Sequence, residues 1–141
     1  MGNAELIANF RRVVTRHYFD FHGRATRAQF WQYVLVYLAI TILVDFIGFR
    51  ILSALWLLGL CLPTAGVTIR RLHDIGRSGW WLLLPIVPAF LMGSFFFVFW
   101  PLTMVLGLTF AAFCAYLIYL YLLPGTQGGN RYGPDPKAAS A

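Results

Sequence analysis

Apolar residues along this chain follow one spacing near the start and another over most of the rest. From Asn3 to about Phe21 they recur at helical intervals, with Leu6, Ile7, Phe10, Val13, Val14, Tyr18 and Phe21 on one stripe. Arg11, Arg12, Thr15 and Arg16 fall off that stripe. The pattern predicts an amphipathic helix, lying flat at a membrane interface or packed on the protein's own surface. Asn3 is placed to cap it, and Glu5 sits in the first turn, where the helix dipole favours an acid.

Beyond His22-Gly23-Arg24 the apolar runs lengthen. Residues 30–49 span 20 positions, about 30 Å as a helix, which matches the hydrocarbon thickness of a bilayer. Residues 51–69 carry no charge. Pro63 within them frees a carbonyl that a Thr hydroxyl or a neighbouring helix must satisfy. Residues 80–123 then run 44 positions without a charge, about 66 Å as one helix, so a turn must divide them. Pro101 suits the first turn of a helix and places that break near Phe99-Trp100-Pro101, while Pro85 and Pro88 predict a bend before it.

The expected fold is all-α and integral to a membrane: four transmembrane helices with an N-terminal amphipathic interfacial helix. Residues 1–29 form the helix and a basic linker, residues 30–123 the membrane domain, and residues 124–141 a turn-rich tail. The spans fall at about 30–49, 51–69, 80–98 and 101–123, with a charged hinge at 70–79.

Composition agrees with that reading. The chain is 60% apolar and only 11% charged, where a soluble domain carries about a quarter charged residues. The first 29 residues hold five arginines and no apolar core of signal-peptide type. Cys61 and Cys114 lie within apolar runs, which points to packing and not to a disulfide framework.

The net charge of +6 reflects where the basic residues fall. Five precede the first span, three lie in the hinge and two in the tail, leaving only Arg50 opposite. The positive-inside rule then puts both termini and the hinge in the cytoplasm. Basic residues flanking spans meet anionic lipid headgroups, so nucleic acid is not an expected partner.

Three polar stretches stand out. The first is Phe21-His22-Gly23-Arg24-Ala25-Thr26-Arg27-Ala28-Gln29-Phe30-Trp31. The second is Arg70-Arg71-Leu72-His73-Asp74-Ile75-Gly76-Arg77-Ser78-Gly79-Trp80-Trp81. The third runs from Gly125 to Pro136. Their order and spacing resemble the opening, central and closing motifs of a bacterial inner-membrane family, domain of unknown function 805 (DUF805). The resemblance covers residues 21–136 and implies a multi-pass protein of the bacterial inner membrane. It implies no reaction, cofactor or site residue.

The chemistry must therefore come from the side chains. Arg24, Arg27, Arg70, Arg71 and Arg77 offer guanidinium forks suited to phosphate or carboxylate. His73 and Asp74 could form an oriented acid–base pair, and Trp80 and Trp81 suit headgroup depth. Gly23, Trp31, Asn130 and Asp135 complete a structural cluster in which the two aspartates pair with arginines. Asp45, near the far end of the first span, reads either as an ion site or as an interfacial carboxylate paired with Arg50. No histidine spacing matches a zinc pattern, and Gly76-Arg77-Ser78-Gly79 lacks the lysine of a phosphate loop. No metal, cofactor or catalytic residue is expected.

Three function classes follow. The leading one is a non-enzymatic module binding anionic lipid or a protein partner through the Arg/Trp/Asp cluster. The second is a small transporter or channel subunit acting as a homo-oligomer. The third is a lipid-modifying enzyme using His73 and Asp74.

Overall fold

A computed structural model describes residues 3–48, 50–96 and 99–138. Among the described residues five α-helices form: α1 (Asn3–Thr15), α2 (Arg27–Ile47), α3 (Arg50–Asp74), α4 (Ile86–Phe95) and α5 (Trp100–Leu122), with a 3-10 turn at Gly79–Leu83. No strand occurs among the described residues. Among the described residues three helices, α2, α3 and α5, are long and apolar enough to cross a membrane.

The first helix stops at Thr15, six residues short of the expected Phe21. The chain turns there because the Asp20 carboxylate takes the His17 ring at 2.7 Å and the His22 backbone N–H at 3.1 Å. A side chain that gathers nearby donors in this way competes with helix. The turn rests on α3 at Gly66, where a Cβ would lie 3.0 Å from the Asp20 carbonyl. The inner face of α1 packs on the bundle, with Val13 buried and Phe10 stacked on Tyr33 at 5.3 Å. Ile7 stays exposed.

Thr26 starts α2 with a capping box, its hydroxyl accepting from the Gln29 N–H while the Gln29 side chain accepts from the Thr26 N–H. Gly48, at φ +77°, ends the helix in the left-handed conformation. Polar links join α2 to α3 within the apolar run: Tyr33 with Thr64 at 2.8 Å, and the Trp56 indole donating to Thr41 at 3.0 Å.

The expected hinge at 70–79 is half helix. Arg70 to Asp74 continue α3, and the chain leaves it only at Gly76, φ +74°. The Arg77 N–H reaches the Leu72 carbonyl at 2.9 Å and the Gly76 N–H reaches His73 at 3.0 Å, which together make a Schellman stop. Arg71 remains in the helix with its side chain supplied with acceptors at the ends of α3 and α5, while among the described residues Arg70 reaches only the Gly66 carbonyl.

The expected span at 80–98 is not one membrane-length helix. It divides into the 3-10 turn and the ten-residue α4. Pro85 and Pro88 lack the N–H groups that would serve the Trp81 and Leu84 carbonyls, so continuous α-helix fails where a bend was predicted. The two pieces total about 25 Å, short of the bilayer core. The break before α5 falls where expected, with Pro101 in the first turn. Helix α4 packs along α5, and Met92 reaches Gly107.

The packed core sits at one end of the bundle. Val13, Ala25, Phe30, Tyr33, Val67, Leu72, Leu117, Leu120 and Tyr121 are buried there. Toward the other end Phe46, Leu58, Phe90 and Leu108 are 70–91% exposed, an apolar girdle suited to lipid. Cys61 and Cys114 are free thiols, Cys61 on that exposed surface.

Candidate functional site

Asp74, at the end of α3, joins the three polar stretches. Its carboxylate takes the Arg71 guanidinium at 2.5 Å and Arg24 at 3.0 Å. Its carbonyl takes the Thr126 N–H at 2.9 Å and the Thr126 hydroxyl at 3.1 Å. Arg71, Arg24 and Asp74 have side chains only 0%, 2% and 5% exposed. Charges so buried persist only when their remaining donors find acceptors, and here backbone carbonyls serve. Arg71 donates to Tyr121 at 3.2 Å and to Leu123; Arg24 donates to Gly128 at 2.6 Å and Thr126 at 2.5 Å. Arg27 donates to Leu122 at 3.3 Å.

The acceptors on Tyr121, Leu122 and Leu123 belong to the last turn and the C-cap of α5. A helix C-terminus leaves four carbonyls without intrahelical donors and carries partial negative charge. Arg71 and Arg27 supply both the donors and the positive charge. They bind the end of α5 to the end of α3 and the start of α2, so these three helix ends share one face of the protein.

The tail closes over them. Asn130 donates to the His73 carbonyl and to the Thr126 hydroxyl, both at 2.9 Å. Tyr132 stacks on the His73 ring with centroids 3.9 Å apart. Asp135 accepts from the Gly128 and Lys137 N–H groups at 3.1 and 3.0 Å. The Lys137 N–H most of all, with Gly128 and the charges of Arg24 and Lys137, holds its carboxyl below the usual carboxylate range against slight desolvation.

His73 and Asp74 are neighbours but not an acid–base pair. The His73 Nδ1 meets the Gly23 carbonyl at 3.2 Å, which requires the proton on Nδ1. Gly23 holds φ +78°, a conformation open to glycine. Trp31 packs edge-on to Phe30, half-buried. At the far end, Asp45 accepts from Ser53 at 2.7 Å and forms no ion pair with Arg50.

Two groups expected in the cluster lie outside the Asp74 network. Arg77 is exposed, its guanidinium 5.1 Å over the Trp81 ring, while Trp80 beside it is 78% exposed. An apolar groove of about 350 Å³, lined by Ile69, Trp80, Leu82 and Leu83 together with His73, Ser78 and Gly79, opens beside Trp80. Arg70 points elsewhere: its Nε reaches the Gly66 carbonyl at 3.4 Å, and one terminal nitrogen has no partner among the described residues.

Gly125, Thr126 and Tyr132 were not singled out from the sequence, although all three stand within the third polar stretch. Asn9, whose side chain donates to the Gln29 carbonyl at 2.7 Å, carried a usable signal as a polar residue on the apolar stripe of α1.

Residues 18–134 match the family described as protein of unknown function DUF805. The chain is 36% identical to inner membrane protein YhaI of Escherichia coli K12 over 133 residues, covering 90% of this chain and 94% of the relative. It is 31% identical to inner membrane protein YhaH of the same strain over 134 residues, covering 88% and 93%. The uncharacterized protein YiiR is 35% identical over 125 residues, covering 83% and 86%. No solved structure matches.

Proposed function

The chain belongs to the DUF805 family of inner-membrane proteins, and on that premise we propose that it is a non-enzymatic four-crossing module that holds anionic phospholipid at a cytoplasmic face. The observation that carries this is the exposed Arg77 guanidinium over the half-buried Trp81 ring, with exposed Trp80 lining the apolar groove. An anionic headgroup finds a guanidinium there, and an acyl chain finds Ile69, Leu82 and Leu83. Basic groups at span ends are suited to such headgroups, and indoles sit at their depth. Arg24 and Arg71 belong to the lock around Asp74 and contribute structure, not ligand binding.

The gathering of the α3 and α5 ends supports four crossings. A chain that leaves this end at Gly79 and returns along α5 must go out and back, so the 3-10 turn with α4 makes the outward pass through a locally thinned bilayer. The clustering of basic residues at this end supports its cytoplasmic placement. Native mass spectrometry in mild detergent tests the binding reading. Arg77→Gln and Trp80→Ala should each lower retention of phosphatidylglycerol while helicity and unfolding temperature hold. Retention equal to the parent protein in both variants would sink it.

A further inference from the structure

A polar cavity, distinct from the apolar groove, lies beneath the elbow between α1 and α2. It encloses about 160 Å³ and is lined by Asn9, Arg12, His17, Gln29 and Arg70, with Val13, Arg24, Ala25 and Val67 completing its wall. Arg70 is 8% exposed, and one of its terminal guanidinium nitrogens is buried without a hydrogen-bond partner among the described residues. A buried charged donor left unpaired is costly, and native structures rarely keep one without a reason.

The nearest acid does not resolve it. The Asp20 carboxylate is engaged by His17 and the His22 N–H, and it forms no ion pair with Arg70. The Arg24 guanidinium is turned to Asp74 and the tail. Arg12 makes no ion pair among the described residues. Two guanidinium groups thus flank a small enclosed space, with one Asp–His pair at its edge. Asn9 uses one amide N–H on the Gln29 carbonyl and has a second to offer.

From this we infer that the cavity binds a phosphate monoester group between Arg12 and Arg70. Three terminal oxygens and nearly two negative charges match two guanidinium groups and an amide donor. The site is separate from the Trp80 groove and does not depend on it. The monoester could belong to a soluble compound or to a lipid headgroup, since the chemistry is shared.

The test uses the full chain in phosphatidylcholine nanodiscs. Glycerol 3-phosphate titrated from solution, followed by phosphorus NMR and calorimetry, probes the soluble source. Nanodiscs doped with phosphatidic acid or phosphatidylglycerol, read by native mass spectrometry, probe the lipid source. Saturable glycerol 3-phosphate binding, or retention of phosphatidic acid over phosphatidylglycerol, supports the site. Arg12→Gln and Arg70→Gln should each weaken that binding about tenfold or more, while Arg50→Gln, exposed at the opposite end of α3, leaves it intact. Arg12 is exposed on α1, so its variant stays informative if Arg70→Gln fails to fold. Absence of both forms of binding, or binding unchanged by Arg12→Gln, overturns the inference.

Discussion

The Tyr18 hydroxyl donates to the Gly59 carbonyl at 2.6 Å, and that carbonyl is the acceptor four residues before Pro63, which has no N–H to serve it. The turn after α1 thus repairs a defect inside a membrane helix. Tyr18→Phe should destabilise the protein by about 1 kcal/mol through the lost bond. In a Pro63→Ala background the backbone donor returns, and the same tyrosine change should cost much less. Thermal unfolding of the four proteins in one detergent gives the coupling. Independent, additive effects would separate Tyr18 from the proline.

Asp74 has a larger part to play. Asp74→Asn removes the one carboxylate between Arg24 and Arg71, whose side chains are 2% and 0% exposed. Losing one partner of a buried ion pair costs about 3–5 kcal/mol. The variant should unfold at much lower denaturant, and adding Arg71→Met should recover part of the loss. A loss no greater than that of a surface substitution would contradict the lock.

Gly125 lies so near Asp74 that an added Cβ would meet its carboxylate, 2.8 Å from Cγ. Gly125→Ala should therefore force the tail away from α3, at about 1–3 kcal/mol. Gly129→Ala, with its nearest neighbour at 3.8 Å, is the matched control and should be silent. Limited proteolysis of the tail distinguishes them: faster cleavage in Gly125→Ala alone is the expected result.

Much of this arrangement could be read from the chain. The apolar runs before Arg70 and after Pro101 become α2, α3 and α5, because hydrocarbon length and backbone satisfaction leave few other solutions. The residues of the Asp74 lock were nearly all in view as polar stretches between apolar runs. That Asp74 pairs with arginine was expected, but which arginines was not, and Asp135 takes the Gly128 and Lys137 N–H groups in place of an arginine. Nothing local tells that Arg24 and Thr126 would meet at Asp74, fifty and fifty-two positions away. The split of the third apolar stretch was also hidden. Pro85 and Pro88 are visible, but whether two missing donors bend a helix or end it depends on what packs around them. Helix α1 ends early for a similar reason, since the His17–Asp20 turn is stabilised by its seat on Gly66.

That turn makes the protein sensitive to acid. Burial raises the Asp20 carboxyl, but the hydrogen bonds from His17 and His22 and the nearby charges of Arg70 and His17 outweigh it, leaving the group below its ordinary value. A depressed folded pKa gives stability that is complete above the unfolded value, about 4, and is lost as pH falls through the lower folded value. Unfolding temperature should fall across that window, and Asp20→Asn should flatten the part of the profile due to this group. An unchanged profile would assign the acid sensitivity elsewhere.

The proposed four crossings make a sharper demand on topology. Helices α2, α3 and α5 alone would carry the tail across the membrane and away from the N-terminal linker. Yet Arg24 donates to Gly128 and Thr126 in that tail, and Asn130 donates to His73 at the end of α3. These contacts require the linker, the α3 end and the tail to share one side. Under the proposal the stretch from Gly79 to Phe95 crosses despite its shortness, with Phe99 on the opposite side. In a background with Cys61 and Cys114 replaced by serine, Gln127→Cys and Arg77→Cys should react with an impermeant maleimide only in inverted vesicles. Phe99→Cys should react only in right-side-out spheroplasts. Labelling of Gln127→Cys from outside, with Arg77→Cys protected there, would defeat the proposed four-crossing arrangement and the proposed cytoplasmic placement of the Asp74 lock together.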